Sequence, residues 1–273
     1  MRLSLVAVLL LLPAVARAQD ACERVRCSRH GECMLEDGEA FCLCDDGYAA
    51  EDLTCRRVEP VRPDPAATRP ASLGARIVQI ASREGGRSAG MVGRERDDRS
   101  DPGPLSRYIK PGALWCTDFV AWVYRAAGVP FSGGYHGGWH ITNNYAMRRW
   151  FQRQHRWVAH DDPAFETFEP QPGDYLRFDT DRFGHSAIVR YVANDTLYTV
   201  EGNSRGEVRA RRYWFYKQNR RIDGFGIVTD PEERIARLWP DASARPARRG
   251  RAERASRGAP PPPPARAAGR ARR

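Results

Sequence analysis

Cys116 stands apart from the other cysteines of this 273-residue chain, in the stretch GALWCTDFVAWVYRAAGVP at 112–130. Apolar residues follow at helical spacing and share an inward face with the cysteine: Phe119, Val120, Val123 and Ala127. The spacing therefore places Cys116 at the start of a helix, where unpaired N–H groups favour a thiolate and can stabilise an oxyanion. A small buried hydrophobic residue is the alternative interpretation, so a catalytic role requires a second group.

A thiolate nucleophile needs a base that takes its proton and later protonates the leaving amine. His185 is the best candidate, because in RFGHSAIVRYV it follows Gly184 and opens an apolar strand. This rigid position at the edge of a core suits a base, and a structural strand-edge histidine is the alternative. The other histidines lie in the cysteine-rich stretch, in a glycine-rich segment or in polar sequence: His30, His136, His140, His155 and His160. We expect no metal site at the i, i+4 pair 136 and 140, since that segment is not helical.

The strand TLYTVEGNS, at 196–204, carries groups that could orient His185. Period-two alternation puts Glu201 and Asn203 on one face, near His185 if the two strands form a hairpin. Either side chain could accept the second ring N–H of His185 and fix its tautomer. A two-residue loop at 194–195 would turn both side chains to the opposite face. The functional interpretation therefore predicts an odd-numbered loop or a bulge around 192–196.

Hydrophobic periodicity predicts the elements that must position these groups. The predicted helices cover 73–84, 116–127 and 141–154. The predicted strands cover 174–178, 185–192, 196–203, 208–216 and 222–228. Residues 85–111 are expected to form an ordered loop, and GGYHGGWH at 133–140 a flexible one. Helices followed by antiparallel strands indicate an α+β domain, which we assign to 73–238.

The first eighteen residues have the pattern of a secretory signal. Arg2 is followed by an apolar run over 3–15, and Ala-Arg-Ala at 16–18 supplies a small-x-small cleavage site. The run is too short to span a bilayer and no later run is longer. We therefore expect a secreted or periplasmic protein, from a bacterium, with no membrane span.

Six cysteines lie within 22–55, a stretch with few residues for an apolar core. A module of this size needs covalent staples, and in an oxidising compartment cysteines pair as disulfides. Spacing alone leaves the pairing open, and it leaves Cys116 as the odd cysteine. A proline-rich linker follows at 56–72.

The end of this stretch, CLCDDGY with a closing cysteine at 55, resembles that of an EGF-like module. The resemblance implies three disulfides: Cys22–Cys33, Cys27–Cys42 and Cys44–Cys55. The acidic and amide residues of the calcium-binding variant do not precede the first cysteine in the required pattern, so we expect no calcium. A binding module and a spacer held together by disulfides are both consistent with the sequence.

The net charge of +10 belongs to the ends of the chain. Ten arginines and two acidic residues lie in 241–273, which leaves residues 19–240 neutral after the signal is removed. The Arg-, Pro- and Ala-rich segment 239–273 cannot bury enough apolar surface to fold, so we expect a disordered tail. It is either a solvated tail or an electrostatic anchor on anionic envelope polymers. A nucleic-acid partner fits poorly with export.

Four successive blocks resemble those of the CHAP family, which are papain-like cysteine, histidine-dependent amidohydrolases and peptidases: LWCTDFVAWVYRAAG, QPGDYLRF, GHSAIVRYV and YTVEGNS. The resemblance implies a papain-like fold, with helices packed on an antiparallel sheet. It implies Cys116 as nucleophile, His185 as base, Glu201 as its orienter and Asn203 as further polar support. It also implies that Pro-Gly-Asp at 172–174 is a structural turn.

The resemblance implies peptidoglycan or muropeptides as substrate, and the proposed thiol chemistry needs no metal or organic cofactor. We predict a secreted cysteine amidase or endopeptidase whose long connection at 128–170 forms a groove or lid, with Trp139, His140 and Trp150 as candidates. A non-catalytic adhesion protein with Cys116 inert or in an intermolecular disulfide is the rival class. A processing peptidase that acts on proteins is a third interpretation.

Overall fold

The computed structural model describes residues 21–36, 39–59, 70–94, 102–180 and 183–240. The predicted signal, most of the linker and the tail after 240 lie outside these residues, so the predictions made for them stay predictions. Within the described residues, no helix has both the length and the apolar composition needed to cross a membrane.

The cysteine-rich stretch forms a small unit, residues 21–59, here called the disulfide module. It consists of two antiparallel hairpins, β1 (Gly31–Glu36) with β2 (Glu39–Cys44) and β3 (Tyr48–Glu51) with β4 (Thr54–Arg57). Its disulfides have the pairing that the EGF-like resemblance implies: Cys22–Cys33, Cys27–Cys42 and Cys44–Cys55. Four of these cysteines form the buried centre of the module together with Ala50, since so short a segment has few other apolar residues.

The rest of the described chain folds as helices on one antiparallel sheet. The helices are α1 (Pro70–Arg83), α2 (Cys116–Ala126), α3 (Asn144–Arg153) and α4 (Pro231–Leu238). The sheet has six strands in the order β5 (Trp157–Ala159), β10 (Ile222–Gly226), β6 (Tyr175–Phe178), β7 (His185–Ala193), β8 (Thr196–Ser204) and β9 (Glu207–Trp214). The predicted α+β class, with helices packed on an antiparallel sheet behind a disulfide-rich module, is confirmed.

One strand and one α-helix of the second domain were not predicted from the sequence. Strand β5 has three residues and helix α4 has eight, too few for hydrophobic periodicity to separate them from loops. Their positions come from tertiary contacts. Strand β5 pairs with β10 at the edge of the sheet, and α4 places Ile235 in a second core.

The sheet is buried on both faces. On one face it packs against α1 and α2, and almost every side chain of α2 is buried. On the other face lies a separate apolar cluster that includes Phe165, Phe168, Phe225 and Trp239. Because both faces are covered, β7 and β8, the two inner strands that carry the predicted site residues, form a rigid base.

The β7–β8 hairpin settles the register on which the functional interpretation depends. Its loop has two residues, Asn194 and Asp195, both with positive φ, as in a type I′ turn. Tyr191 pairs with Tyr198 but Val189 pairs with Thr199, so one strand has an extra residue at 190. The bulge therefore lies just before the predicted range of 192–196, and the loop itself is even-numbered.

This bulge restores the register that the site requires. Ile188 pairs with Val200, and the same register continued toward the end of the sheet sets His185 opposite Asn203. Opposed residues share a face in an antiparallel pair. Glu201, two positions from Asn203, thus lies on the same face as His185.

The Pro-Gly-Asp turn at 172–174 is held by a buried carboxylate. Asp174 is fully buried and accepts hydrogen bonds from the backbone N–H groups of Gln171 and Val228. Arg234 of α4, itself buried, donates to both carboxylate oxygens at 2.9 and 2.6 Å. This pair joins the start of β6 to the C-terminal helix.

We expect Asp174→Asn to lower the free energy of unfolding by about 3–5 kcal/mol, because it leaves the Arg234 guanidinium buried without a counter-charge. Urea unfolding followed by far-UV circular dichroism measures the change. Glu233→Gln is the matched control, since it removes an exposed ion pair with Arg237 on the same helix and should cost less than about 0.5 kcal/mol. Equal effects of the two substitutions would contradict this account of Asp174.

Candidate active site

Cys116 is the first residue of α2 and is buried, with 7% of its surface exposed. It is the free cysteine among the described residues. The helix approaches β8 closely because residue 202 is glycine: a Cβ at Gly202 would lie 2.4 Å from Cβ of Phe119. A larger residue there would push the first turns of α2 away from the strand that carries Glu201.

His185, the first residue of β7, interacts with both Glu201 and Cys116. Its Nε2 atom lies 3.0 Å from Oε2 of Glu201, and its ring is close enough to Cys116 for each group to shift the pKa of the other. Since Nε2 is taken by Glu201, Nδ1 is the nitrogen that remains for the sulfur. The structure thus brings three predicted residues into one chain of contacts, from helix α2 through β7 to β8.

The contacts shift the pKa values of all three groups toward their charged forms. Burial alone would raise the pKa of Cys116, but the hydrogen bond and positive charge of His185, with the Ser186 backbone N–H and the Thr117 hydroxyl, lower it. Burial alone would lower the pKa of His185, but hydrogen bonds to Cys116 and Glu201 and their negative charges raise it to about 10. Cys116, His185 and Glu201 therefore stabilise one another's charged forms, as a thiolate–imidazolium pair with a carboxylate beside it requires.

The Glu201 carboxylate accepts two further hydrogen bonds. The Thr199 hydroxyl lies 2.6 Å and the Tyr213 hydroxyl 2.7 Å from Oε1. Burial would raise the pKa of Glu201, and its bonds to His185, Thr199 and Tyr213 lower it. Alternation along TLYTVEGNS put Thr199 on the face of Glu201, but no sequence signal pointed to Tyr213, which comes from the neighbouring strand β9.

Asn203 lies opposite His185 in register, but its backbone has a positive φ of 54° at a break in the β8–β9 pairing. Among the side-chain hydrogen bonds of the described residues, none joins Asn203 to His185 or Glu201. Of the two alternatives that the sequence left, Glu201 is therefore the one that contacts Nε2 of His185.

Behind the sulfur lies a buried row of hydroxyl groups. Ser186 Oγ is 3.0 Å from both Thr117 Oγ1 and Tyr175 Oη, and all three residues are buried. The row connects α2, β7 and β6 at the level of Cys116. It fixes the distance between the helix start and the strand that carries His185.

The glycine-rich segment at 133–140 is not the free loop that its composition predicted. Its backbone is closed by a bridge between Tyr135 and His140, and His140 Nε2 lies 2.8 Å from Oδ1 of Asp118. His140 and Trp139 are buried, so they support the site from behind and do not line an open groove. Trp150 lies on α3 and donates to the Ser132 hydroxyl.

The described residues offer one group of three potential metal ligands within reach of one another, the sulfurs of Cys27, Cys42 and Cys55. All three sulfurs belong to disulfides, which leaves no thiolate to coordinate an ion. The group is therefore the centre of the disulfide module and not a metal site.

A thiol at a helix start that faces an imidazole on an antiparallel sheet is the arrangement of papain-like cysteine hydrolases. Residues 108–203 match the model of the CHAP domain, a span that includes Cys116, His185, Glu201 and Asn203. Residues 108–203 of the second domain thus match a CHAP domain, and a disulfide-rich module stands in front of that domain.

Two solved structures of Ly7917 were also found, one of them with "the hydrolyzing product of MDP". Their sequences are 16% and 14% identical to this chain, with TM-scores of 0.34 and 0.33. The alignments cover 58% and 56% of this chain. They cover 63% and 61% of the Ly7917 chain, so this chain spans about three fifths of the length of Ly7917. No curated protein matches the chain.

The ion pair predicts the pH dependence of Cys116 alkylation. Because His185 lowers the pKa of Cys116 below the usual 9.0, iodoacetamide should react at a full rate below pH 9. In His185→Ala the lowering contribution of His185 is lost and burial, which raises the pKa, remains, so the rate should rise at a higher pH than in the wild-type protein. Alkylation rates across pH 5–11, read by mass spectrometry, test this. Superimposable profiles for the two proteins would contradict the pairing.

Tyr213→Phe tests the hydrogen bond that positions Glu201. A hydrogen bond to a charged group contributes about 1.5–3 kcal/mol, so we expect kcat/KM to fall about tenfold. Losing a donor also raises the pKa of Glu201, so the acid limb of the pH–rate profile should move to higher pH. Tyr198→Phe is the matched control, because its ring stacks on Tyr191 and no described side-chain hydrogen bond involves its hydroxyl. A purely structural role for Tyr213 would lower the melting temperature and leave the acid limb in place.

Proposed function

We propose that this protein is a secreted amidase or endopeptidase that cleaves amide bonds of bacterial peptidoglycan. The observation that carries the proposal is the position of His185, whose Nε2 lies 3.0 Å from Glu201 and whose ring is close enough to Cys116 for each to shift the pKa of the other. The CHAP domain match supports a cell-wall substrate. The disulfide-rich module and the signal-like sequence of the first eighteen residues support an extracellular location.

In the first step the Cys116 thiolate attacks the carbonyl carbon of the scissile amide. A C–S bond forms, and the carbonyl oxygen becomes an oxyanion beside the start of α2, whose first N–H groups have no partner within the helix. Cys116 needs no separate deprotonation, since the pair with His185 already supplies the thiolate.

In the second step the C–N bond breaks and the leaving nitrogen takes the Nδ1 proton of the His185 imidazolium. A thioester between Cys116 and the acyl part of the substrate remains. Neutral His185 then accepts a proton from water, which attacks the thioester and releases the carboxylic acid. The cycle ends with the thiolate and imidazolium restored.

Glu201 is a positioning residue in this scheme. Its carboxylate holds Nε2–H, which fixes the ring orientation with Nδ1 toward the sulfur and stabilises the imidazolium. Asn203, opposite His185 in register, is proposed as polar support on the exposed side of the ring.

Purified protein carrying Cys116→Ala should lose at least 10³-fold of its activity on isolated cell walls, since the nucleophile is absent. Mass spectrometry of the soluble fragments identifies the bond that the wild-type protein cuts. Cys116→Ser is the conservative companion, with a hydroxyl that His185 cannot ionise. Wall digestion that survives both substitutions would overturn the proposal, and a covalent dimer lost in Cys116→Ala would favour the adhesion protein.

A further inference from the structure

The disulfide module is hydrogen-bonded to the glycine-rich segment at 133–140, which in turn contacts Asp118, two residues after Cys116. The Cys44 N–H donates to the Gly133 carbonyl at 2.7 Å, and the Ala50 N–H donates to the Gly134 carbonyl at 2.7 Å. Backbone bonds of this kind join β2 and β3 of the module directly to the glycine-rich segment. A spacer or an independent binding module would need neither bond.

Charged side chains reinforce the same contact from helix α3. Arg149 Nε lies 2.9 Å and Arg153 Nη2 lies 3.3 Å from Oε2 of Glu32 on β1. Arg153 also donates to the carbonyls of Leu43 and Cys44 at the end of β2. The module is therefore held on two sides, by the segment at 133–134 and by α3.

Gly133 shows how closely the two parts approach. A Cβ at this position would lie 2.1 Å from the Cys44 carbonyl oxygen, and the residue has a φ of +80°. Gly137, four residues later, has nearly the same φ of +79° but nothing within 4 Å of a Cβ. The two glycines thus share their backbone conformation and differ in their contact with the module.

From Gly133 and Gly134 a short path leads to the first turn of α2. The Gly134 N–H donates to the Gly138 carbonyl and the Tyr135 N–H to the His140 carbonyl, which closes the segment on itself. The bridge sets the position of the buried His140 ring, whose Nε2 contacts Asp118 at 2.8 Å. Asp118 is buried two residues after Cys116.

The contact between His140 and Asp118 matters for the sulfur because a buried carboxylate without a partner is strongly unfavourable. If the segment at 133–140 moved, Asp118 would lose its partner. The first turn of α2 would then have to shift, or the Asp118 carboxylate would have to take up a proton. Either change would alter the positions or the charges of the groups near Cys116.

We propose that the disulfide module is a positioning element of the active site, which acts on Cys116 through residues 133–140 and the contact between His140 and Asp118. This inference rests on the proposed hydrolase function. It assigns the module a role in the reaction itself, because the domain reaches its active geometry only with the module in place.

The matched pair Gly133→Ala and Gly137→Ala tests the proposal in the full-length protein with its disulfides formed. Both substitutions put an alanine at positive φ, so their backbone strain is the same, and only the first adds a Cβ against the module. We expect Gly133→Ala to lower kcat/KM tenfold or more through kcat, and Gly137→Ala to keep at least a third of the wild-type value. Rates are measured well below the melting temperature of each variant.

The pH profile of Cys116 alkylation provides a readout that needs no substrate. A profile that shifts in Gly133→Ala and not in Gly137→Ala supports the proposal even if the natural substrate differs from peptidoglycan. Failure of the proposed function appears instead as a wild-type protein that releases no fragments from walls. A Gly133→Ala protein with a lower melting temperature but wild-type kcat/KM and alkylation profile would overturn the positioning role.

Glu32→Gln is the alternative test of the same contact if Gly133→Ala does not fold. It weakens the contact with Arg149 and Arg153 without adding volume, and we expect a two- to fivefold loss of kcat/KM. Glu39→Gln on the same hairpin is its control, because Glu39 is exposed and no described ion pair involves it. Equal activities for these two variants would also count against the proposal.

Discussion

The site depends on an imidazole ring that interacts with charged groups from two different elements. His185 lies at the start of β7. It interacts with Cys116 of helix α2 and with the Glu201 carboxylate of strand β8. Burial alone opposes the charged form of each group, and the mutual hydrogen bonds and charges reverse that effect. Each member's charged form is stabilised by the other members, so the three act as a unit.

Backbone features outside the three side chains bring them into contact. The bulge at Arg190 shifts the hairpin register by one, which turns Glu201 onto the face of His185. Gly202 lets α2 approach β8, and the row of hydroxyls through Ser186 fixes the helix against the sheet. A site of this kind tolerates little displacement, which explains why it lies on a sheet that is buried on both faces.

The disulfide module adds to this support through residues 133–140, which contact Asp118 on the first turn of α2. In the sequence the module and the catalytic domain are separated by a proline-rich linker, which is typical of parts that move independently. Their contact is nonetheless made by backbone hydrogen bonds and a glycine with no room for a Cβ. Such a contact fixes distance and orientation more tightly than ion pairs between exposed side chains.

The sequence by itself determined the division into a disulfide-rich module and an α+β domain, the helix that begins at Cys116 and the candidates His185 and Glu201. Local periodicity and cysteine spacing carry this information, because helix faces and strand alternation repeat over a few residues. The order of the blocks in the chain was sufficient to indicate the family, which the match over 108–203 agrees with.

Tertiary structure alone decided which groups complete the site. Tyr213 reaches Glu201 from a neighbouring strand, and His140 reaches Asp118 from a segment that composition predicted to be flexible. The position of the bulge and the choice between Glu201 and Asn203 also came from the folded sheet. These features depend on contacts between residues far apart in the chain, and no periodicity or spacing within a single segment encodes such contacts.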